Sequence, residues 1–176
     1  MTNRLALSTA LFLMCGPALT AAQGTDVAFG QGPTDSSLPV EVTSDSLRVD
    51  QTSGTAIFTG NVLVGQGQMR LSANEVRVEY VMVDGKSTGE IARVLATGDV
   101  TFVSGPEAAE GAAADYDLAT GTMLMTGDVI MTQGQSVLSG ERLVVNMEDG
   151  TGVMEGRVKT ILQNAGGGAD QQNGGN

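Results

Sequence analysis

Histidine and tryptophan do not occur in this sequence, and cysteine occurs once, as Cys15. Without histidine the chain lacks the commonest general base and metal ligand. One cysteine allows neither an internal disulfide nor a cysteine-built metal cluster. Cations are also scarce: 9 Lys and Arg stand against 20 Asp and Glu, a formal net charge of −11. Phosphate backbones are held by clustered Lys and Arg, so no nucleic-acid partner is expected. The aromatics are two Tyr and four Phe, so an apolar face must be built from Val, Leu, Met and Ile. Serine and threonine are plentiful, yet none stands in a G-x-S-x-G elbow or has a candidate base partner. The glycine-rich pieces lack the following helix and the lysine of a phosphate cradle. No enzyme and no cofactor is read from these residues.

What the chain does have is internal repetition. The stretch 57–67, IFTGNVLVGQG, returns as VLATGDVTFVSG (94–105), as MLMTGDVIMTQG (123–134) and more faintly as VMEGRVKTIL (153–162). The anchoring glycines, Gly60, Gly98, Gly127 and Gly156, are separated by 38, 29 and 29 residues. This is a period of 29 with one nine-residue insertion, which falls in VMVDGKSTGE between Tyr80 and Ile91. Two residues after each glycine stands a valine: Val62, Val100, Val129 and Val158. Val49, Val78, Tyr116 and Val145 share another position of the repeat, and Asp50, Asp117 and Asn146 each precede a glycine by four residues. A fixed period of this length means that each unit is one supersecondary element stacked on its neighbours.

Within a unit the apolar residues alternate with period two, as in half-buried strands. The clusters GQG, QTSG, LATG and MEDG read as turns. Two strands and two turns per unit is the natural parse, and helical periodicity is absent beyond the first twenty residues. The acidic residues, among them Asp45, Asp99, Asp128, Glu141, Glu148 and Asp149, fall mostly singly at strand ends and outward positions. They read as turn formers and solvated faces; the alternative, a calcium-binding solenoid, needs carboxylates closely spaced on neighbouring turns.

Residues 1–22 have the form of a secretory signal, with Arg4, an apolar run over 5–15 and small residues before Gln23. The run is short for a transmembrane helix, though an uncleaved anchor is the alternative. Met14 is too large for a lipoprotein signal at Cys15, and cleavage leaves no cysteine. Residues 23–38 read as a flexible arm, 39–163 as one all-β domain and 164–176 as a disordered tail rich in Gly, Asn and Gln. Each strand presents one apolar face, and the chain has nothing else to cover it. The sheet must therefore fold over on itself as a sandwich, roll or solenoid. Val62, Val64, Val100, Phe102, Val129 and Met131 then form either a plain core or, if the roll does not close, an interior that holds a lipid chain. A roll of tandem strand pairs also leaves a first and a last strand without partners, open to strand addition from another chain.

The segment PVEVTSDSLRVDQTSGTAIFTGNVLVGQGQMRLSANEVRVEY, with the later TGDVIMTQGQSVLSGERLVVN, resembles the OstA-like domain of the LptA family of periplasmic lipopolysaccharide transport proteins. The resemblance spans about 39–162. It implies an antiparallel β-jelly roll, V-shaped in section, with an apolar groove that takes the lipid A acyl chains of lipopolysaccharide. By motif it assigns Val40, Val42 and Phe102 to the groove interior, and by register Val62, Val64, Val100, Val129 and Met131. It implies head-to-tail stacking between an LptC-like inner-membrane partner and an LptD-like outer-membrane partner. The stacking edges are then Val40, Val42, Leu47 and Val49 at one end and Arg157, Val158, Lys159, Thr160, Ile161 and Leu162 at the other. A cleavable signal favours the LptA type over the anchored LptC type, and the absence of a following barrel favours it over the LptD type. An LptC-like relative with an anchor, or a structural β-polymer or adhesin without lipid, are the alternatives. The acidic balance is a departure, because lipid A carries phosphates. Binding must rest on acyl burial, with the headgroup left in water.

Overall fold

Alternating apolar residues become strands throughout, in a single antiparallel sheet. The computed structural model describes residues 25–28 and 38–162. The expected signal (1–22), the expected tail (164–176) and most of the expected arm lie outside the described residues. The strands are β1 (Thr25–Ala28), β2 (Glu41–Thr43), β3 (Ser46–Asp50), β4 (Thr55–Gln66), β5 (Met69–Val83), β6 (Lys86–Ser104), β7 (Glu107–Asp117), β8 (Thr122–Gln133), β9 (Ser136–Asn146), β10 (Thr151–Glu155) and β11 (Lys159–Ile161). They form one 11-stranded sheet in which β4 to β10 follow chain order, β2 and β3 both pair β4, and β11 pairs β9. This is the antiparallel all-β class that the family resemblance implies.

The repeated glycines Gly60, Gly98 and Gly127 mark where every second long strand, β4, β6 and β8, bends. At Gly127 and Asp128 the backbone turns left-handed, with φ of 88° and 51°. The β8–β9 register shifts between Thr126 and Val129, so that Gly127 and Asp128 oppose the single residue Glu141. Such a bulge kinks its strand and increases the local twist. Gly60–Asn61, Gly98–Asp99 and Gly156–Arg157 have the same pair of positive φ values. Asn and Asp tolerate this region better than other side chains, which accounts for the repeated G-N and G-D. Two of these bulges are pinned by side chains: Asn61 Nδ2 donates to Asp45 Oδ2 at 2.9 Å, and Asn74 Nδ2 to Asp99 Oδ2 at 3.3 Å. Aligned across the sheet, the bulges form a crease. Because neighbouring strands are antiparallel, the half before the crease in one strand and the half after it in the next share a wall of the roll, and the remaining halves make the other wall.

Short polar turns close both ends. Asp50 accepts from the backbone N–H of Thr52 (2.8 Å) and Ser53 (3.2 Å), and Asp117 from that of Thr120 (3.0 Å). In the next such turn Asn146 Oδ1 takes the same part, accepting from Glu148 N at 2.9 Å. These bonds favour the carboxylate, and hydrogen bonding from the Ser53 and Thr120 backbones holds Asp50 and Asp117 below the usual Asp range. A depressed folded-state pKa contributes stability that is present above the ordinary value of 3.8 and lost as pH falls through the lower folded value. Asn146 shows that an uncharged amide serves equally in this turn. The double variant Asp50→Asn, Asp117→Asn is therefore expected to keep its neutral-pH melting temperature and to lose less of it in acid than the parent. Melting curves from about pH 5 downward check this; parallel acid limbs would show that the carboxylates contribute nothing specific.

The nine-residue insertion extends β5 and β6 into a longer hairpin. It turns at Asp84 and Gly85, both with positive φ (49° and 73°), which is the type I′ geometry that Asp-Gly favours. A further difference from expectation lies at the N-terminus. Thr25–Ala28, inside the segment read as a flexible arm, forms β1 and pairs antiparallel with β10.

Candidate functional site: a groove between two walls

The inward row on one wall runs from Val42 through Val64, Leu71 and Phe102 to Ala109, Met131 and Leu138, each paired with the next across the strands. The facing row on the other wall runs from Phe58 through Val76, Ala96 and Ala114 to Met125, Leu143 and Met154. At the β8–β10 end the rows meet: Met125, Met131, Leu143 and Met154 are fully buried. Unbranched methionines fill irregular space between sheets well. Toward β2 the walls diverge around a cavity of about 1120 Å³.

Val42, Val64, Leu71 and Phe102 line one side of this cavity, and Phe58, Val76, Ala96, Tyr116 and Met123 the other. Polar residues stand at its margins: Gln66 and Arg70 near one set of turns, Glu148 and Asp149 near the opposite set. Arg70 is the sole cation among the described lining residues, and its Nη1 donates to the Gly67 and Met69 carbonyls at 2.7 and 2.6 Å. Burial in the apolar wall, with the nearby Glu148 charge, raises the Tyr116 phenol above its usual value. The lining is apolar along the walls and polar at the margins.

Of the residues expected inside the groove, Val40, Val42, Val64 and Phe102 line the cavity. The other four are displaced from that expectation. Val62, Val100, Val129 and Met131 are at most 1% exposed and do not reach the cavity wall. The three valines directly follow the bulges, at the crease where the walls converge, and Met131 stands in the closed half. Sequence reasoning passed over Phe58, Leu71, Val76, Tyr116 and Met123 as lining residues, although the register pairing Val76 with Phe58 and Ala96 was available in the repeat.

At the edges, β2 and β3 bond only to β4, so the side carrying Val40, Val42, Leu47 and Val49 is open among the described residues. At the far end the expected strand 157–162 is shorter. Gly156 and Arg157 form the last bend, Val158 follows it, Lys159, Thr160 and Ile161 make β11 on β9, and Leu162 comes after β11. The preceding β10 is not open, because β1 covers it. Leu38, Val40, Leu47, Val49, Ile161 and Leu162, all at these two ends, are exposed.

A family model described as LptA/(LptD N-terminal domain) LPS transport protein matches residues 41–151. The lipopolysaccharide export system protein LptH of Pseudomonas aeruginosa is 32% identical over 84 residues, covering 48% of this chain and 45% of LptH. The LPS-assembly protein LptD of Yersinia enterocolitica is 38% identical over 65 residues, 37% of this chain and 8% of LptD. Each alignment thus spans less than half of the relative's length. A crystal structure of LptH, described as the LptA homologous periplasmic component of the lipopolysaccharide transport device from Pseudomonas aeruginosa, is similar in fold. The TM-score is 0.64 at 20% identity, over 75% of this chain and 100% of that chain.

Proposed function

The chain belongs to the family of LptA and the LptD N-terminal domain, lipopolysaccharide transport proteins, and from that premise we propose that it binds lipopolysaccharide in the periplasm by its acyl chains and hands it along stacked copies between the two membranes. The observation that carries the reading is the apolar cavity of about 1120 Å³ with polar residues only at its margins. Each buried methylene contributes about 0.8 kcal/mol, so a dozen contribute about 10 kcal/mol before the cost of ordering the lipid. Burial on this scale binds without a cationic site, which suits a chain of net charge −11. The sugars and phosphates stay in water beyond the margins. The exposed apolar residues at both sheet ends support end-to-end addition of copies, and of partners with the same fold at the inner and outer membranes. That contact is heterologous, so it propagates into a bridge instead of closing.

Native mass spectrometry with lipid extraction, on protein purified from its periplasm in mild conditions, tests the binding step. Co-purified lipopolysaccharide is the expected result. A protein that assembles yet carries no lipid favours a structural β-polymer instead.

A further inference from the structure

We propose that β1 is an exchangeable cap, standing on β10 in the place that β3 of a second copy takes when two copies add end to end. The inference deepens the stacking reading above and rests on it. The register that sets Ala56 opposite Val78, and Met123 opposite Val145, is the same in successive repeats. Carried on to β10, it sets Gly152 opposite the next residue of this series, Val49 of an incoming copy. In the single chain that slot is held by Val27, paired with Gly152.

The fit at that slot is close. A Cβ on Gly152 would lie 2.9 Å from Val27 Cγ2, so the glycine makes room for a valine on the neighbouring strand. Val27 is packed partly into the apolar core. Direction agrees as well. β1 runs antiparallel to β10, and an incoming β3 must run the same way if the walls of two copies are to line up. Adding β3 outside β1 would instead place two strands of the same direction side by side. Displacement restores an antiparallel edge.

Length decides which strand wins. β1 offers four residues, whereas β3 offers five and β2 a further three to the open edge of β11. In β3 the apolar Leu47 stands at the position that Thr25 occupies opposite Met154. The cap has the advantage of being tethered to its site, which raises its effective concentration. It therefore shields the edge in a dilute chain and yields to a longer partner, as managed edge strands do.

The test uses the full chain and a labelled peptide of residues 41–50, EVTSDSLRVD, read by fluorescence anisotropy. A chain lacking residues 25–28 should bind the peptide about tenfold or more tightly than the parent, since the competing tethered strand is gone. In a Cys15→Ser background, Asp26→Cys with Val153→Cys joins a cross-strand pair. Paired Cα atoms lie within disulfide reach, so the oxidised form should lose peptide binding and reductant should restore it. Equal binding by the folded parent, deletion and oxidised forms, or binding by none of them, overturns the cap. Peptide binding with this pattern in a chain that sediments as a monomer at all concentrations supports the cap and counts against stacking alone.

Discussion

Gly127→Val is expected to lower the melting temperature by about 10 °C or more. A β-branched side chain held at φ of 88° is strained, at a cost of about 1–3 kcal/mol. The added Cβ would also lie 2.5 Å from the Ala112 Cβ on β7. Neither group is the end of a flexible chain, so relief means moving backbone, for about another 1–3 kcal/mol. Several kcal/mol is a large part of an ordinary stability of about 5–15 kcal/mol, and each one moves the midpoint by about 2–4 °C in a domain of this size. Gly134 separates the two causes. Its φ is also left-handed, at 58°, but a Cβ there meets nothing within 4 Å. Gly134→Val should therefore cost clearly less. Equal losses in thermal melts of the two variants would mean that close packing at the crease is not what fixes the bend.

The second large effect concerns binding. Val42→Asp is expected to reduce lipopolysaccharide retention about a hundredfold or more while leaving the protein folded. Val42 lies on the three-residue strand β2, lines the cavity and, among the described residues, pairs only with Val64. In the free protein its carboxylate can reach water, so the folding cost stays near that of a surface change, about 0.5 kcal/mol. With acyl chains in the groove the same charge is buried without a partner, at several kcal/mol. Each 1.4 kcal/mol is about a tenfold loss of affinity. Val42→Ile should retain lipid. Lipid quantified per protein, beside a melting curve for each variant, checks both halves; a folded Asp variant with full lipid content would place the ligand elsewhere.

Much of this architecture is legible in the sequence because it rests on local rules. The T-G-(N/D)-V motif gives the bulge, the Asp or Asn four residues before a glycine gives the turn, and period-two alternation gives the inward face. Alternation does not say how far apart two inward faces stand. Val62 and Val64 share a face, yet one is enclosed at the crease and the other lines the cavity. That difference depends on the bend at Gly60–Asn61 and on the methionines that close the far half, both of which act between strands. β1 is not legible in the sequence for a related reason. TDVA is four residues in a Gly-, Ser- and Asp-rich stretch, too short for alternation to register, and its partner β10 is near the other end of the domain. The one clue is a glycine, Gly152, at the position where Ala56, Val94 and Met123 stand in the other repeats.

Site-specific photo-crosslinking tests the groove most directly. Phe58, Phe102 and Tyr116 line the cavity and are aromatic, so benzoylphenylalanine replaces each with little disturbance. Arg48 and Arg77 are exposed on the strands and absent from the cavity wall, and serve as the comparison. Illumination in cells should join lipopolysaccharide to the chain from Phe58, Phe102 and Tyr116 and not from Arg48 or Arg77. Adducts of equal yield from both sets, or from the arginine positions alone, would contradict a lipid-carrying groove.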